Sequence, residues 1–402
     1  MNRRVVITGV GPVSSIGIGA EAFGAGLRAG RSGISEIESF DTTGFPHVMA
    51  GGVPQFEPKS LLERISPEKW GRTSQFAASA ARLAVTDAGI DPTELSSSAA
   101  GSCMGTTGGE SQVLEALTED SLTVGFAGVD RALMGHIPAS RLAVAVNREL
   151  GLTGEALTLS TACSASNYAV GHAYDQIHTG EQDYMVAGGA DSLERWGHAG
   201  FFRLGAVAEN ACRPFDKDRT GILTAEGGAA VFLESLDSAL ARGARIYAEV
   251  LGYALNCDAD HMTAPNKDSI VRCIRMAHRN AGTDPSDVDY ICAHGTGTPA
   301  NDLTEATATA EAFDGAPPPI SSVKSMLGHT MGAASGFSVI ASVLGIHDSF
   351  LPPTINFGEL DPQMPPIDPV PNEARYQPVN IAQVNGFAFG GNNAITIFGR
   401  YS

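Results

Sequence analysis

The sequence predicts an α/β fold made of two similar halves. Apolar, strand-like segments alternate with helix-like segments along the chain, which is the pattern of layered α/β proteins. Five such segments in the first half, beginning with "RRVVITGVG", are followed in the second half by five of the same type and order, beginning with "IYAEVLGYALN". With 402 residues, the chain is long enough for two halves that each contribute to a core.

The first series contains "RRVVITGVG", "AAGSCMGTTGG", "ALTLSTACSASNYAVG", "DYMVAGGADS" and "GGAAVFLESL". The second contains "IYAEVLGYALN", "DYICAHGTGTP", "PISSVKSMLGHTMGAASG", "IAQVNGFAFGG" and "NAITIFGR". We therefore expect an N-terminal half over residues 1–250 and a C-terminal half over residues 251–402. Residues 110–141 have no counterpart in the second series. They indicate an insertion, and insertions on a repeated scaffold often carry substrate or subunit contacts.

The composition limits the partners and the location of the protein. Charged residues make up only 17 % of the chain, which is low for a soluble domain and predicts a subunit interface. A net charge of −18 disfavours nucleic acid and anionic membranes as partners, because both need a basic face. The six cysteines form no CxxC pair, which favours reduced thiols in a cytoplasmic protein. The uncharged stretch 325–346 is rich in small residues and predicts a buried helix, not a membrane span.

The segment "TLSTACSASNYAVG" places Cys163 between a predicted strand and a predicted helix. A free cysteine is most often a buried, inert residue, and this interpretation stays open from the pattern alone. At the start of a helix, however, unpaired N–H groups favour a thiolate and can bind an oxyanion. The pattern therefore makes Cys163 a candidate nucleophile that forms a thioester.

Two further segments carry candidate acid–base and hydrogen-bonding groups. "AHGTGTPANDLTEATA" contains His294 followed by Asp302 and Glu305, which are three positions apart and share a face if the segment is helical. "VKSMLGHTMGAASG" contains Lys324 and His329 in an almost uncharged stretch. A buried lysine normally needs a carboxylate partner, and Glu305 or Asp302 is the candidate. Taken singly, each histidine is more often structural than catalytic, and neither has metal-ligand spacing.

The segment "NGFAFGGNNA" places Phe387 and Phe389 among glycines near the end of the chain. By itself it predicts a tight turn with two core aromatics. The alternative is an aromatic gate beside the nucleophile, able to swing because glycines flank it.

These motifs in this order resemble the elongating β-ketoacyl-acyl-carrier-protein synthases, which belong to the thiolase-like superfamily. The resemblance extends from "VVITGVG" to "NAITIFG" and includes "RPFDKDRTG". It implies a thiolase-like, duplicated αβαβα fold of five layers, a dimer and no cofactor, with substrates carried on the phosphopantetheine of an acyl carrier protein. It also implies decarboxylative condensation of a malonyl thioester with an acyl chain, in a fatty-acid or polyketide pathway.

The resemblance gives roles to individual positions. Cys163 matches the nucleophile that holds the acyl chain, and His294 and His329 match the pair that binds the malonyl thioester and stabilises its enolate. Lys324 and Glu305 match the lysine and the acid that accompany them. Thr296 and Thr298 match two hydroxyls that hold the pantetheine arm. Phe389 matches the gate, and its N–H joins that of Cys163 in an oxyanion hole. Phe387 lies two positions before the gate.

Other positions are assigned less directly by the resemblance. Thr107 falls where the family commonly has a bulky apolar residue on the pocket floor, which suggests an unusual acyl chain. Because carrier proteins are acidic, docking needs local basic residues despite the negative charge of the chain. The candidates are Arg64, Lys69, Arg72 and Arg203, and an ordinary solvated role for each stays open.

Three other functions compete with this interpretation. Chain-length factors resemble these enzymes but lack the cysteine, so the chain is either a homodimer or the active partner of such a protein. Chain-initiating synthases carry a Cys, His, Asn set, whereas this chain has a second histidine. Biosynthetic thiolases need a second catalytic cysteine near the C-terminus, and none follows Cys292.

Overall fold

The computed structural model of the protein describes residues 2–402. Its strands, in chain order, are β1 Val5–Ser14, β2 Gly17–Ile18, β3 Ser35–Glu36, β4 Met49–Ala50, β5 Ala100–Gly105, β6 Ala156–Leu159, β7 Tyr184–Asp191, β8 Gly227–Ser235, β9 Ala248–Cys257, β10 Tyr290–Cys292, β11 Ile320–Ser321, β12 Phe350–Leu351, β13 Arg375–Tyr376, β14 Ile381–Phe387 and β15 Asn392–Gly399.

The α-helices are α1 Ala20–Arg28, α2 Arg72–Ala88, α3 Pro92–Ser97, α4 Ser111–Val124, α5 Arg131–Met134, α6 Arg141–Leu150, α7 Ala165–Thr179, α8 Arg195–Arg203, α9 Leu236–Ala241, α10 Lys267–Ala281, α11 Pro299–Ala312, α12 Lys324–Leu327 and α13 Ala334–Asp348. Short 3₁₀ helices span Pro58–Ser60, Pro67–Lys69, Phe126–Gly128, Ala162–Ser164, Pro285–Asp287 and Met331–Ala333. None of the helices in residues 2–402 has the length and apolarity that crossing a bilayer requires.

The main sheet contains two five-stranded series in mirrored order. The strands follow one another as β11-β10-β14-β15-β9-β1-β8-β7-β5-β6. The series meet where β1 pairs with β9 in antiparallel register over three residue pairs, from Val5 with Val250 to Ile7 with Ala248. Outward from this junction, each series has antiparallel pairs and then two parallel ones. The second series begins with β9 at Ala248, so the predicted boundary between residues 250 and 251 lies within that strand.

The helices form three layers around the two series of strands. Helices α7 and α13 contact each other and strands of both series, α2 and α6 pack on the outer face of the first series, and α10 and α11 pack on that of the second. This arrangement has five layers in the order αβαβα, so the predicted fold is confirmed. The uncharged stretch includes the end of α12 and the turn Met331–Ala333, and its larger part forms α13, whose residues from Ala334 to Ile346 are buried.

Glycine allows β1 and α2 to approach closely. A Cβ on Gly9 would lie 2.0 Å from the carbonyl oxygen of Ala84, and one on Gly11 would lie 1.9 Å from that of Ala80. Both distances are far inside van der Waals contact, so only glycine fits at these positions. The backbone of β1 therefore packs directly on the alanine-rich face of α2, which fixes the first outer layer.

Helices α7 and α13 begin in the same way and meet at their N-termini. Each follows a 3₁₀ turn that contains a non-glycine residue at φ 51°, Ala162 in the first series and Met331 in the second. The hydroxyl of Ser166 donates to the carbonyl oxygen of Gly332 at 2.6 Å, which joins the two turns. The chemistry-bearing motifs of both halves consequently meet at one place.

Candidate active site

Cys163 lies in the turn between β6 and α7 and is buried. Burial raises the pKa of its thiol to about 11, and this effect exceeds the opposing influence of the Lys324 ammonium and of the N–H groups of Cys163 and Phe389. The backbone N–H groups at the start of the helix favour the thiolate, as expected, but desolvation of the charged form outweighs them in the free protein. At neutral pH Cys163 is a thiol.

His294 and His329 lie beside Cys163. One side-chain donor atom from each of the three residues falls within 4.8 Å of the others, and the imidazole centroids are 5.6 Å apart at 80°. Burial, followed by the charge of Lys324, holds the pKa of each imidazole well below its usual value. Both rings are neutral at neutral pH, so each carries one N–H donor and no charge.

The hydrogen bonds of His329 define its tautomer. Its Nδ1 accepts the backbone N–H of Met331 at 3.1 Å, so the proton of the neutral ring is on Nε2. Nδ1 of His294 is buried, and within the described chain it has no hydrogen-bond partner. The backbone therefore fixes the ring of His329, whereas Nδ1 of His294 is available to hydrogen-bond another group.

Lys324 and Glu305 both bind the backbone of His294. Nζ of Lys324 donates to the carbonyl oxygen of His294 at 2.5 Å, whereas Glu305 accepts the N–H of His294 at 2.8 Å and that of Gly295 at 2.7 Å. The expected ion pair between Lys324 and Glu305 or Asp302 is not formed within residues 2–402, because the carboxylates bind backbone N–H groups instead. The two acids do share a buried face of α11, as predicted.

Cys163 and the two histidines also form a donor set that zinc accepts in other proteins. The positive charge of Lys324 acts on all three residues. A cation placed among them would be repelled by this buried ammonium. The arrangement therefore suits hydrogen bonding to an anionic oxygen better than metal binding, and the expected lack of a metal stays a prediction.

A cavity of about 290 Å³ opens onto Cys163 and both histidines. Thr296 and Thr298 line it, with their hydroxyl oxygens 2.9 Å apart. Phe387 and Phe389 also line it; the Phe387 ring lies 5.8 Å from that of His294, and Phe389 packs against Phe201 at 5.7 Å. The sequence motif "NGFAFGG" therefore reaches the site, and Phe201 is a wall residue that sequence reasoning missed.

Thr107 lines a neighbouring cavity of about 60 Å³, which shares Phe201 with the cavity at Cys163 and includes Glu194. Its assignment to the floor of the acyl pocket stays a prediction. The N–H of Thr107 donates to Asp191 at 2.7 Å, and the same carboxylate oxygen accepts the N–H of Gly332 at 2.6 Å. Asp191 was missed from the sequence, although an acid at the end of the apolar strand "DYMVAGGADS" was a usable signal.

The four basic residues proposed for docking differ in their surroundings. Arg203 is exposed at the end of α8, next to residues that line the cavity, and Arg64 and Lys69 are exposed near Pro67–Lys69. The guanidinium of Arg72 instead makes two hydrogen bonds to Glu226, at 2.8 and 2.6 Å. Glu226 is buried, so this ion pair gives Arg72 a structural role, and a docking role for Arg72 stays a prediction.

Comparisons with known proteins identify the family of the chain. The family described as "Beta-ketoacyl synthase, N-terminal domain" matches residues 2–239, and "Beta-ketoacyl synthase, C-terminal domain" matches residues 247–358. The chain is 36 % identical to the 3-oxoacyl-[acyl-carrier-protein] synthase 2 of Synechocystis, over 99 % of this chain and 98 % of that protein. It is 35 % identical to the synthase of the same name from Staphylococcus aureus, over 100 % and 99 % of the two chains.

Solved structures give the same result. The chain superposes on "The ishigamide ketosynthase/chain length factor" with a TM-score of 0.98, 50 % identity and full coverage of both chains. A type II polyketide synthase acyl-carrier protein in complex with its ketosynthase matches at a TM-score of 0.91 and 31 % identity, again over both whole chains. A β-ketoacyl synthase from Burkholderia phymatum matches at 0.93 and 33 %. The fold is therefore thiolase-like, and the chain belongs to the β-ketoacyl synthase family.

Proposed function

We propose that the chain elongates an acyl chain by decarboxylative Claisen condensation, with Cys163 as the acyl carrier and malonyl-acyl-carrier-protein as the extender. The observation that carries this proposal is the cluster of Cys163, His294 and His329, which lines one cavity. A thiol placed between two neutral imidazoles suits thioester chemistry, in which oxyanions must be stabilised without strong acid.

In the first half-reaction, the sulfur of Cys163 attacks the carbonyl carbon of an acyl thioester delivered by the carrier protein. The backbone N–H groups of Cys163 and Phe389 both lower the pKa of the Cys163 thiol, which supports their role as donors to the oxyanion. The carbon–sulfur bond to the pantetheine then breaks, and the pantetheine thiolate takes up the proton that the Cys163 thiol has lost. Thr296 and Thr298 offer hydroxyls to the pantetheine arm along the cavity wall.

In the second half-reaction, the thioester carbonyl of the malonyl group accepts hydrogen bonds from the two imidazoles, including the Nε2–H of His329. Loss of CO₂ leaves an enolate on this oxygen, and its carbon attacks the acyl thioester on Cys163. The products are CO₂, a β-ketoacyl carrier protein and the Cys163 thiolate, which regains a proton from water. Burial, and after it the charge of Lys324, keep both imidazoles neutral.

We further propose an acyl carrier protein and a second ketosynthase-like subunit as partners. Support comes from the printed descriptions of two similar structures, one a ketosynthase/chain length factor and one a complex with an acyl-carrier protein. Residues 110–141 expose large apolar side chains: Leu122 is 83 % and Phe126 is 90 % exposed in the single chain. Patches of this kind usually mark subunit contacts. A cytoplasmic location remains part of this proposal.

Mass spectrometry of the intact protein tests the proposal. After incubation with acyl-carrier-protein substrates, we expect one acyl adduct on the native chain and none on Cys163→Ala. His294→Ala and His329→Ala should still be acylated but should form little β-ketoacyl product from malonyl-acyl-carrier-protein. An adduct that persists on Cys163→Ala contradicts the assignment, and the mass of the retained acyl group identifies the preferred chain.

A further inference from the structure

Hydrogen bonds inside the C-terminal half connect a buried histidine on α10 with the segment that carries His294. Nε2 of His278 lies 2.8 Å from Oε1 of Gln383 on β14. Gln383 donates from Nε2 to Oδ1 of Asn385 at 2.7 Å, and Asn385 donates from Nδ2 to Oε1 of Glu305 at 2.9 Å. The same carboxylate oxygen accepts the backbone N–H of His294. We call His278, Gln383, Asn385 and Glu305 the polar chain.

Only one proton arrangement satisfies the polar chain. Burial raises the pKa of Glu305, but N–H groups of four residues donate to its two oxygens and leave neither to carry a proton. The donors are His294, Gly295, Asn301 and Asn385, so this carboxyl is ionised and accepts only. Asn385 must then present its amide nitrogen to Glu305 and its oxygen to Gln383.

The same reasoning continues outward along the polar chain. Gln383 presents its nitrogen to Asn385, and its oxygen therefore faces His278, whose Nε2 must carry the proton. Nδ1 of His278 lies 2.9 Å from the hydroxyl of Thr283, which donates to it. Burial lowers the pKa of His278, which fits this neutral tautomer.

The polar chain crosses an apolar layer in which amides are costly. Gln383, Asn385 and Phe387 are every second residue of β14 and share the face that contacts α10 and α11. Buried residues such as Ile291 and Ile395 surround them. Gln383 and Asn385 are both 0 % exposed. Buried amides stabilise a fold only when they are paired, and apolar side chains would fill the same space without that requirement. The ionised Glu305 at the end of the polar chain therefore explains why Gln383 and Asn385 are polar.

We propose that His278 and Gln383 are positioning residues for His294, acting through Asn385 and Glu305. Neither touches the cavity. They orient the Asn385 amide, which holds the Glu305 carboxylate where it binds the N–H groups of His294 and Gly295. This inference rests on the proposed function, because it assigns His294 to the condensation step and Cys163 to loading.

The test compares Gln383→Met with Thr396→Val. Gln383→Met keeps the length of the side chain and removes both amide groups. Thr396 lies on the adjacent β15, is fully buried, and its hydroxyl has no partner within the described residues, so Thr396→Val is a matched control. We expect Gln383→Met to lower kcat of condensation about tenfold, to leave KM for malonyl-acyl-carrier-protein within twofold, and to leave the rate of Cys163 acylation unchanged. Thr396→Val should match the native protein in all three.

A second pair of variants applies if Gln383→Met folds poorly, as judged by thermal melting. His278→Leu removes the donor to Gln383, whereas His278→Gln can place an amide N–H where Nε2–H lies and should restore condensation. The inference is overturned if Gln383→Met and Thr396→Val behave alike, if acylation falls together with condensation, or if His278→Leu and His278→Gln are equally active. Failure of the native protein to condense at all would instead refute the proposed function.

Discussion

The ammonium of Lys324 donates a hydrogen bond to the carbonyl oxygen of His294 at 2.5 Å. Glu305 accepts the N–H of the same residue. A carboxylate and an ammonium therefore bind one peptide segment from its two sides and do not pair with each other. The buried charge of Lys324 is therefore available to act on the two imidazoles, and its removal has consequences beyond one lost hydrogen bond.

Lys324→Met should shift the acid side of the condensation pH profile to higher pH. Burial, and after it the charge of Lys324, lower the pKa of His294 and His329. The variant removes the second cause, so both pKa values rise and the rings become protonated at a higher pH than in the native protein. We expect activity at neutral pH to fall at least tenfold, since a buried carbonyl also loses its donor. Lys217→Met removes an exposed lysine and is the control. An unshifted acid limb contradicts the prediction.

Variants of His329 should show whether its hydrogen-bond donor or another property of the ring is needed for decarboxylation. His329→Ala removes the Nε2–H donor and should reduce decarboxylation of malonyl-acyl-carrier-protein about 100-fold or more, as for loss of one oxyanion donor. His329→Gln retains an amide N–H near the same position and should recover part of this loss. Release of CO₂ measures the step directly. Equal rates for the two variants would show that the ring supplies something other than a hydrogen bond.

Alkylation of Cys163 should require alkaline pH. Because burial raises the pKa of its thiol to about 11, the reactive thiolate fraction increases about tenfold per pH unit between pH 8 and 10. Exposed Cys257 is the internal comparison, and peptide mapping after brief iodoacetamide treatment should find Cys257 modified first at neutral pH. Rapid, pH-independent modification of Cys163 would mean that the free enzyme already holds a thiolate.

Charge changes at Arg203 and Arg72 should have different effects. Arg203→Glu should raise KM for the carrier protein with little change in stability, because the side chain is exposed beside the cavity. Arg72→Gln should leave that KM unchanged but lower stability by about 3 kcal/mol, because Glu226 then becomes a buried, unpaired charge. Saturation curves and urea unfolding measure the two effects. A large change of KM for Arg72→Gln in folded protein would support Arg72 as a docking residue.

Glu194→Gln should stabilise the protein at high pH. Burial raises the pKa of Glu194 to about 7, above its unfolded value, so the native protein loses stability as pH rises from about 4.5 through 7. The variant has no such group. It should equal the native protein at pH 5 and exceed it at pH 8 by about 1–2 kcal/mol, after allowance for solvent screening of a partly exposed group. The same difference at both pH values would exclude ionisation as the cause.

The sequence predicted the layers well because hydrophobic periodicity and glycine turns are local signals. It also predicted which segments meet at the site, since the motifs of the two halves follow equivalent strands. It did not predict which groups pair when several partners compete in the folded chain. Nothing local indicates that Glu305 binds two backbone N–H groups and leaves Lys324 without a carboxylate, or that Arg72 pairs with Glu226 across more than a hundred residues. The protonation state of Cys163 was not predicted, because its position at the start of a helix does not indicate how deeply its thiol is buried.

The turns before α7 and α13 have a consequence for stoichiometry. Ala162 and Met331 occupy equivalent positions, which makes Cys163 and Gly332 counterparts in the two halves. A Cβ on Gly332 would lie 2.5 Å from Cα of Thr106, so the second turn has no space for a side chain. The repeat contains two such turns but only one that can present a nucleophile. Acyl donors should therefore saturate each subunit at a single thioester.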